Sequence, residues 1–219
     1  MKLKTSLIVG ATGLTGKALL HNLLEADEYD KVMVLVRKPI SISNEKLIQR
    51  VVDFDKLYVY KEQFIADDVF CCLGTTIKKA KTKEAFKKVD LQYPLEIARL
   101  TKENGARQFL VISAMGANPK SAVFYSQAKG LMESELQKIG FDTLHIFRPS
   151  MLLGNRDEFR LGEKVGIVLF KLLSWLFVGS LKKYKAIHTD VVAKAMYKAA
   201  QAEKIGVNIY PSDKIKLMF

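Results

Sequence analysis

The chain's 219 residues are enough for an α/β domain with a well-buried core, and 49% hydrophobic with 26% charged residues is an ordinary globular make-up. It has no linker rich in Pro, Gly or Ser, no internal repeat and no low-complexity tail, which excludes a repeat array and predicts a single domain over 1–219. The net charge of +12 leans on one stretch, and the two cysteines, Cys71 and Cys72, are neighbours with no accompanying histidines, so neither a disulfide framework nor a metal site of recognisable spacing is expected.

MKLKTSLIVGATG is a poor signal peptide, because its apolar run is short and meets glycines at once. SLIVG (6–10) reads as a strand and LTGKALLHNLLEA (14–26) as a helix with apolar residues at helical spacing. Between them, GATGLTG sets Gly10, Gly13 and Gly16 in a G-x-x-G-x-x-G pattern. Glycines allow the tight turn and let backbone approach a pyrophosphate, whose charge then sits at the helix N-terminus. A strand before the pattern and a helix after it are the context that gives it meaning. Gly10, Thr12, Gly13, Leu14, Thr15 and Gly16 are therefore expected to hold a dinucleotide.

KVMVLVR (31–37) is the second strand. An NAD site would place Asp or Glu at its end, for the ribose 2′-hydroxyl. This chain has Arg37 and Lys38 there, which suit a 2′-phosphate, so NADP is the expected cofactor. IQRVVDF (48–54) and DDVFCCLG (67–74) read as further strands, with Cys71 and Cys72 as small core hydrophobes. Free cysteines fit a reducing cytoplasm, the expected location.

IKKAKTKEAFKKV (77–89) holds six lysines between 78 and 88 and reads as a solvated loop and helix face. An anionic ligand, acidic lipid or nucleic acid are the functional readings, and nucleic acid has the smallest prior because no recognition signature accompanies the run. A helical stretch over 82–104 stops at Asn104-Gly105, QFLVIS (108–113) is a strand, and 122–139 is a helix stopped by Gly140. FDTLHIFRP (141–149) is a strand closed by Pro149. VGIVLFKLLSWLFVG (165–179) is shorter than the ~20 residues a spanning helix needs and is interrupted by Lys171. It reads as part of a buried or interface-forming helix near 163–177, with membrane-surface contact as a second option. A helix near 189–203 and a strand at GVNIYP (206–211) complete the chain. Alternation of apolar strands with helices predicts a doubly wound, mostly parallel Rossmann-type sheet with helices on both faces.

In VFYSQAKG (123–130), Tyr125 and Lys129 fall one helical turn apart. Such pairs are common on amphipathic helices, but this one follows a dinucleotide signature. Ser113 ends the strand twelve residues before Tyr125 and so faces the same crevice. A Ser at that strand end, then Tyr-x-x-x-Lys on the next helix, resembles the short-chain dehydrogenase/reductase superfamily.

The resemblance extends over nearly the whole chain, through GATGLTG, VVDF (51–54), CCLGTT (71–76), FRPSMLLG (147–154) and AIHTDVVAKAM (186–196). It is strongest to the atypical branch containing the human Tat-interacting oxidoreductase-like protein, which is similar in CCLGTT, in the tandem basic residues and in F-R-P-x-x-L-L followed by R-x-G-E. The resemblance implies that Asp53 and Phe54 lie beside the adenine and that Leu73, Gly74, Thr75, Pro149, Ser150, Leu152 and Arg160 line the cofactor. It also implies a substrate-covering segment over 151–185, made greasy by Leu161, Val165, Phe170 and Trp175.

The implied chemistry suits the residue types. Tyrosine's pKa near 10 is high for acid–base work, and a lysine one turn away favours the phenolate and can hold the nicotinamide ribose. Tyr125 would protonate a substrate carbonyl oxygen that Ser113 orients, with the cofactor as hydride source. Asp90 stands where many members carry a relay Asn. The expected function is NADP-dependent reduction of a small carbonyl substrate. The competing expectation is an NADPH-binding regulator or sensor with little or no turnover, with the 163–178 segment and the 77–89 lysines as surfaces for a membrane or protein partner.

Overall fold

The computed structural model describes residues 3–154, 185–202 and 204–218. Strand β1 (Lys4–Val9) turns Leu7 and Val9 to one side of a sheet and Ile8 to the other, and all three are fully buried. Burial on both faces is what a continuous apolar run buys. The same holds for β2 (Tyr29–Val36), β4 (Asp68–Cys71), β5 (Gln108–Ile112) and β6 (Thr143–Arg148). With β3 (Leu47–Val51) and a late strand, β9 (Gly206–Pro211), at the edges, the order is β3-β2-β1-β4-β5-β6-β9 and every pairing is parallel. A short parallel pair, β7 (Leu152–Leu153) and β8 (Ile187–His188), stands apart.

Two cores result. On one face Ile8, Val34, Phe70, Leu110 and Phe147 meet α1 (Leu14–Glu25) and a late helix, α6 (Thr189–Ala200), through Leu19, Leu23, Val192 and Met196. On the other, Leu7, Val69, Phe109 and Ile146 meet α4 (Tyr93–Glu103) and α5 (Phe124–Ile139) through Ile97, Met132 and Leu136. This is the doubly wound fold that the alternation predicts. The order reverses between β1 and β4, which opens a crevice at the carboxyl ends of the strands.

At the opposite edge, Asp68 knots the strand starts together. Its carboxylate accepts from Tyr29 Oη at 2.6 Å and from Gln108 Nε2 at 2.6 Å, while Lys4 Nζ lies 3.4 Å away. Gln108 Nε2 also donates to the carbonyl of Ala200 at the end of α6.

Three elements depart from expectation. The third strand ends at Val51, because Asp53 accepts the backbone N–H of Asp55 and caps a 3₁₀ helix over Phe54–Gln63. The helix expected over 82–104 is broken into α3 (Lys83–Lys87), a π turn (Lys88–Gln92) and α4, and a further short helix, α2 (Ile77–Ala80), precedes it. Thr76 and Thr82 cap the two short helices by accepting from Lys79 and Ala85 N–H. Pro94 gives the physical reason for the π turn: it has no N–H for the Asp90 carbonyl four residues back, and Tyr93 N–H bonds to Lys88 instead. A short helix, α7 (Ser212–Lys216), follows β9 and was not anticipated. The helix expected near 163–177 lies outside the described residues.

Candidate active site

The glycine turn stands at the crevice. Gly10 takes a φ of +84°, and a Cβ on Gly16 would strike the Gly10 carbonyl oxygen, so the turn closes only with glycine at both positions. Gly13 N–H donates to Gly10 at 2.9 Å and then N-caps α1. A glycine cap brings no side chain, and the first turn of α1 holds no acid, so the helix N-terminus keeps its donors and positive field for an anion. Thr12 and Gly13 are exposed there, Leu14 is half-buried, and Thr15 and Gly16 are buried beneath. Cys72 N–H donates to Val9 at 2.8 Å, which lays Leu73, Gly74 and Thr75 alongside. These residues fit a dinucleotide phosphate.

Arg37 and Lys38 are exposed at the end of β2. Val52 N–H donates to Val36, which brings the exposed Asp53 and the buried Phe54 next to them. The Phe54 ring packs on Tyr93 at 5.5 Å between centroids, and Tyr93 Oη donates to Asp55 at 2.7 Å. Burial and the Asp55 bond push the Tyr93 phenol up to about 12, with Asp53 adding to the rise and Arg37 opposing it. Tyr93 and Asp55 thus belong to this corner. Sequence reasoning missed both, because each comes from a separate loop or helix and only the fold joins them.

The three expected catalytic residue types lie along the same edge. Ser113 directly follows β5 and is buried, its N–H given to the Phe147 carbonyl at 2.7 Å. Its hydroxyl, also buried, has no partner among the described residues. Tyr125 lies in the first turn of α5 and is 38% exposed. Phe86 of α3, fully buried, packs on the Tyr125 ring at 5.7 Å and on Phe124 at 5.5 Å. Lys129, one turn on, is buried and donates to the Ile112 carbonyl at 3.4 Å, beside Ser113. Helix α5 is held in place from below, where Arg148 Nε donates to the buried Glu133 at 2.9 Å.

Asp90 is the unexpected member. Its Oδ1 lies 2.8 Å from Lys129 Nζ, and its Oδ2 accepts Thr75 N–H at 2.8 Å. Burial raises the Tyr125 phenol, Lys129 pulls it back, and Asp90 raises it again, so it stands above its ordinary value. Lys129 does favour the phenolate, as expected, but burial exceeds its pull. Tyr125 is therefore protonated at neutral pH, the form an acid needs.

Other expected contacts are mixed. Pro149 is buried and accepts Met115 N–H, while Leu152 is half-buried in β7 and packs on the first core. Ser150 donates its hydroxyl proton to the Lys185 carbonyl, and its N–H goes to Ser212 Oγ at 2.6 Å, so its polar groups are engaged within the fold. Arg160, Leu161, Val165, Phe170 and Trp175 lie outside the described residues.

Residues 10–203 match a protein family described as NAD(P)H-binding. Protein HTATIP2 of Rattus norvegicus is 40% identical over 181 residues, covering 80% of this chain and 74% of that protein. Protein FMP52, mitochondrial, of Eremothecium gossypii is 32% identical over 212 residues, 96% of this chain and 95% of its own length. Among solved structures, the Bordetella bronchiseptica enzyme WbmH in complex with NAD+ superposes with a TM-score of 0.72 at 16% identity, over 96% of this chain and 76% of that one. A UDP-glucose 4-epimerase from Thermotoga maritima gives 0.70 at 15% identity, over 98% and 81%. The expected cytoplasmic location does not stand, since the FMP52 relatives from several fungi are named mitochondrial. Neighbouring cysteines seldom bridge to each other, so the free thiols of Cys71 and Cys72 do not choose a compartment. No helix among the described residues is long and apolar enough to cross a membrane.

Proposed function

The chain belongs to the NAD(P)H-binding family, on the fold of the short-chain dehydrogenase/reductases, and from that premise we propose that it is an NADP-dependent oxidoreductase that reduces a carbonyl group of a small organic substrate. One observation carries the reading: the Ser113 hydroxyl is buried and unpartnered beside a lysine–tyrosine pair. A buried hydroxyl without a partner asks for a guest oxygen.

Glycine-turn amides and the N-terminus of α1 would hold the pyrophosphate, and Arg37 with Lys38 the 2′-phosphate. When bound, the dinucleotide would supply the hydride for the carbonyl carbon. Ser113 holds the carbonyl oxygen and Tyr125 gives it a proton, so that C=O becomes CH–OH. Lys129 holds the ribose and steadies the phenolate that Tyr125 becomes. Tyr125 keeps 38% of its surface exposed, which leaves open space beside its ring.

The test is NADPH consumption against a panel of quinones, aldehydes and ketones. On an active substrate, Tyr125→Phe is expected to remove most turnover and leave NADPH affinity nearly intact, because only the hydroxyl is deleted. Ser113→Ala should cost less, at most ~2.7–4 kcal/mol of barrier. Parental turnover by Tyr125→Phe would sink the assignment. One observation favours a second reading, an NADPH-binding regulator with little turnover: where a relay Asn would stand the chain has Asp90, and its two oxygens are engaged by Lys129 and Thr75. Tight NADPH binding with no turnover across the panel selects it.

A further inference from the structure

Lys129 carries a charge where a charge is expensive, since its side chain is 4% exposed. Burial by itself drives an ammonium toward its neutral form. Three titratable groups act against that: Asp90 on the π turn, Tyr125 on its own helix, and Cys71 at the end of β4. Asp90 is the one carboxylate among them. It lies 2.8 Å away, is itself 1% exposed, and is fixed from behind by the N–H of Thr75. The Ile112 carbonyl is the remaining polar contact among the described residues, at 3.4 Å.

We infer that Asp90 is a positioning residue that keeps Lys129 charged and aimed at the Tyr125 edge of the crevice, set there by the π turn at Lys88–Gln92. The inference rests on the proposed function only for the use to which the cation is put. Two features support it over a purely packing role. The carboxylate is buried with Lys129 as its single cation among the described residues, and the helix carrying it leaves its regular register where Asp90 stands. A carboxylate placed so would be strongly destabilising if its partner were removed alone.

Asp90→Asn keeps the shape and, with its amide oxygen toward Thr75, that acceptor, while an uncharged NH2 replaces the carboxylate oxygen facing Lys129. The measurement is a pH titration of ¹³Cε-labelled lysine by NMR, with the Lys129 resonance assigned from Lys129→Met. In Asp90→Asn the Lys129 midpoint is expected to fall by roughly one to three pH units, the range a neighbouring opposite charge commands. Asp90→Glu should restore it. An unmoved midpoint in Asp90→Asn overturns the inference. NADPH affinity over the same pH range tells this apart from the functional reading. Affinity that falls with rising pH in Asp90→Asn, and not in the parent, supports both. A moved midpoint with pH-independent affinity upholds the role of Asp90 and removes Lys129 from the cofactor site. If Asp90→Asn does not fold, Asp90→Asn/Lys129→Met decides: recovery of a folded protein supports the buried pair, and a double variant no more stable than the single one overturns it.

Discussion

Arg37 and Lys38 stand exposed at the strand end where an acid would mark NAD, while nearby Asp53 spends one oxygen on the backbone of Asp55. Arg37→Ala is therefore expected to weaken NADPH selectively over NADH, by roughly 1.5–3 kcal/mol for a lost charge-assisted bond. Calorimetric titration of both cofactors checks this, and equal loss for the two would reverse the assignment. His145 offers a test of a different kind. It is fully buried against Tyr210, with Nδ1 3.0 Å from the phenol oxygen, and burial, aided by Lys204, lowers it from 6.5 to about 4. Between those values the unfolded chain holds the extra proton, so stability should drop as pH falls through that window, by about 3 kcal/mol at most. Urea unfolding across the window should show the slope, and His145→Asn should flatten it. Ser113, Tyr125 and Lys129 were legible in the sequence because strand end and helical spacing fix where they point. The Asp90–Lys129 pair was not, since a contact between two distant helices leaves no local spacing to read.

Among elements, the strands and long helices were legible because burial on two faces writes continuous apolar runs, and Gly140 ends α5 in the left-handed conformation that glycine favours. The break between 77 and 93 was not, although Thr76, Thr82 and Pro94 each signal it in retrospect: two caps and a missing donor. Lys81, between α2 and α3, takes a φ of +68°, alone among the described non-glycine residues in having a positive value. Such a backbone costs a side chain on the order of 1–3 kcal/mol. Lys81→Gly should thus raise stability by about 1 kcal/mol, after the glycine's own entropy loss. Thermal unfolding checks it, and a destabilised variant would show that the lysine side chain contributes more than the strain.

For the molecule as a whole, the strand order followed from alternation and the crevice from where that order reverses, whereas the location did not follow from composition. The positive charge concentrates beside the site: Lys83 and Lys87 lie over the Phe124 ring at 5.3 and 5.9 Å, and Lys88 pairs with Asp55. Replacing Lys78, Lys79, Lys81 and Lys83 together by Glu spares Lys87 and Lys88. The melting temperature should then change by no more than about 2–4 °C, because all four side chains are exposed and surface changes usually cost little. A larger fall would mean that the run packs rather than solvates. The π turn carries a consequence for changes in chain length. It stores one residue more than a regular helix would need, and each residue in an α-helix turns the chain by about 100°. Deleting one codon within 88–92 would remove the surplus residue and turn α3 relative to α4 across a join that Pro94 still bends, while the sheet and both cores keep their register. Asp90 would be swung off Lys129 with no residue of the glycine turn, Ser113 or the Tyr-x-x-x-Lys pair altered. Gain or loss of a single residue is thus a route by which relatives of this fold could part company electrically while their site residues still align.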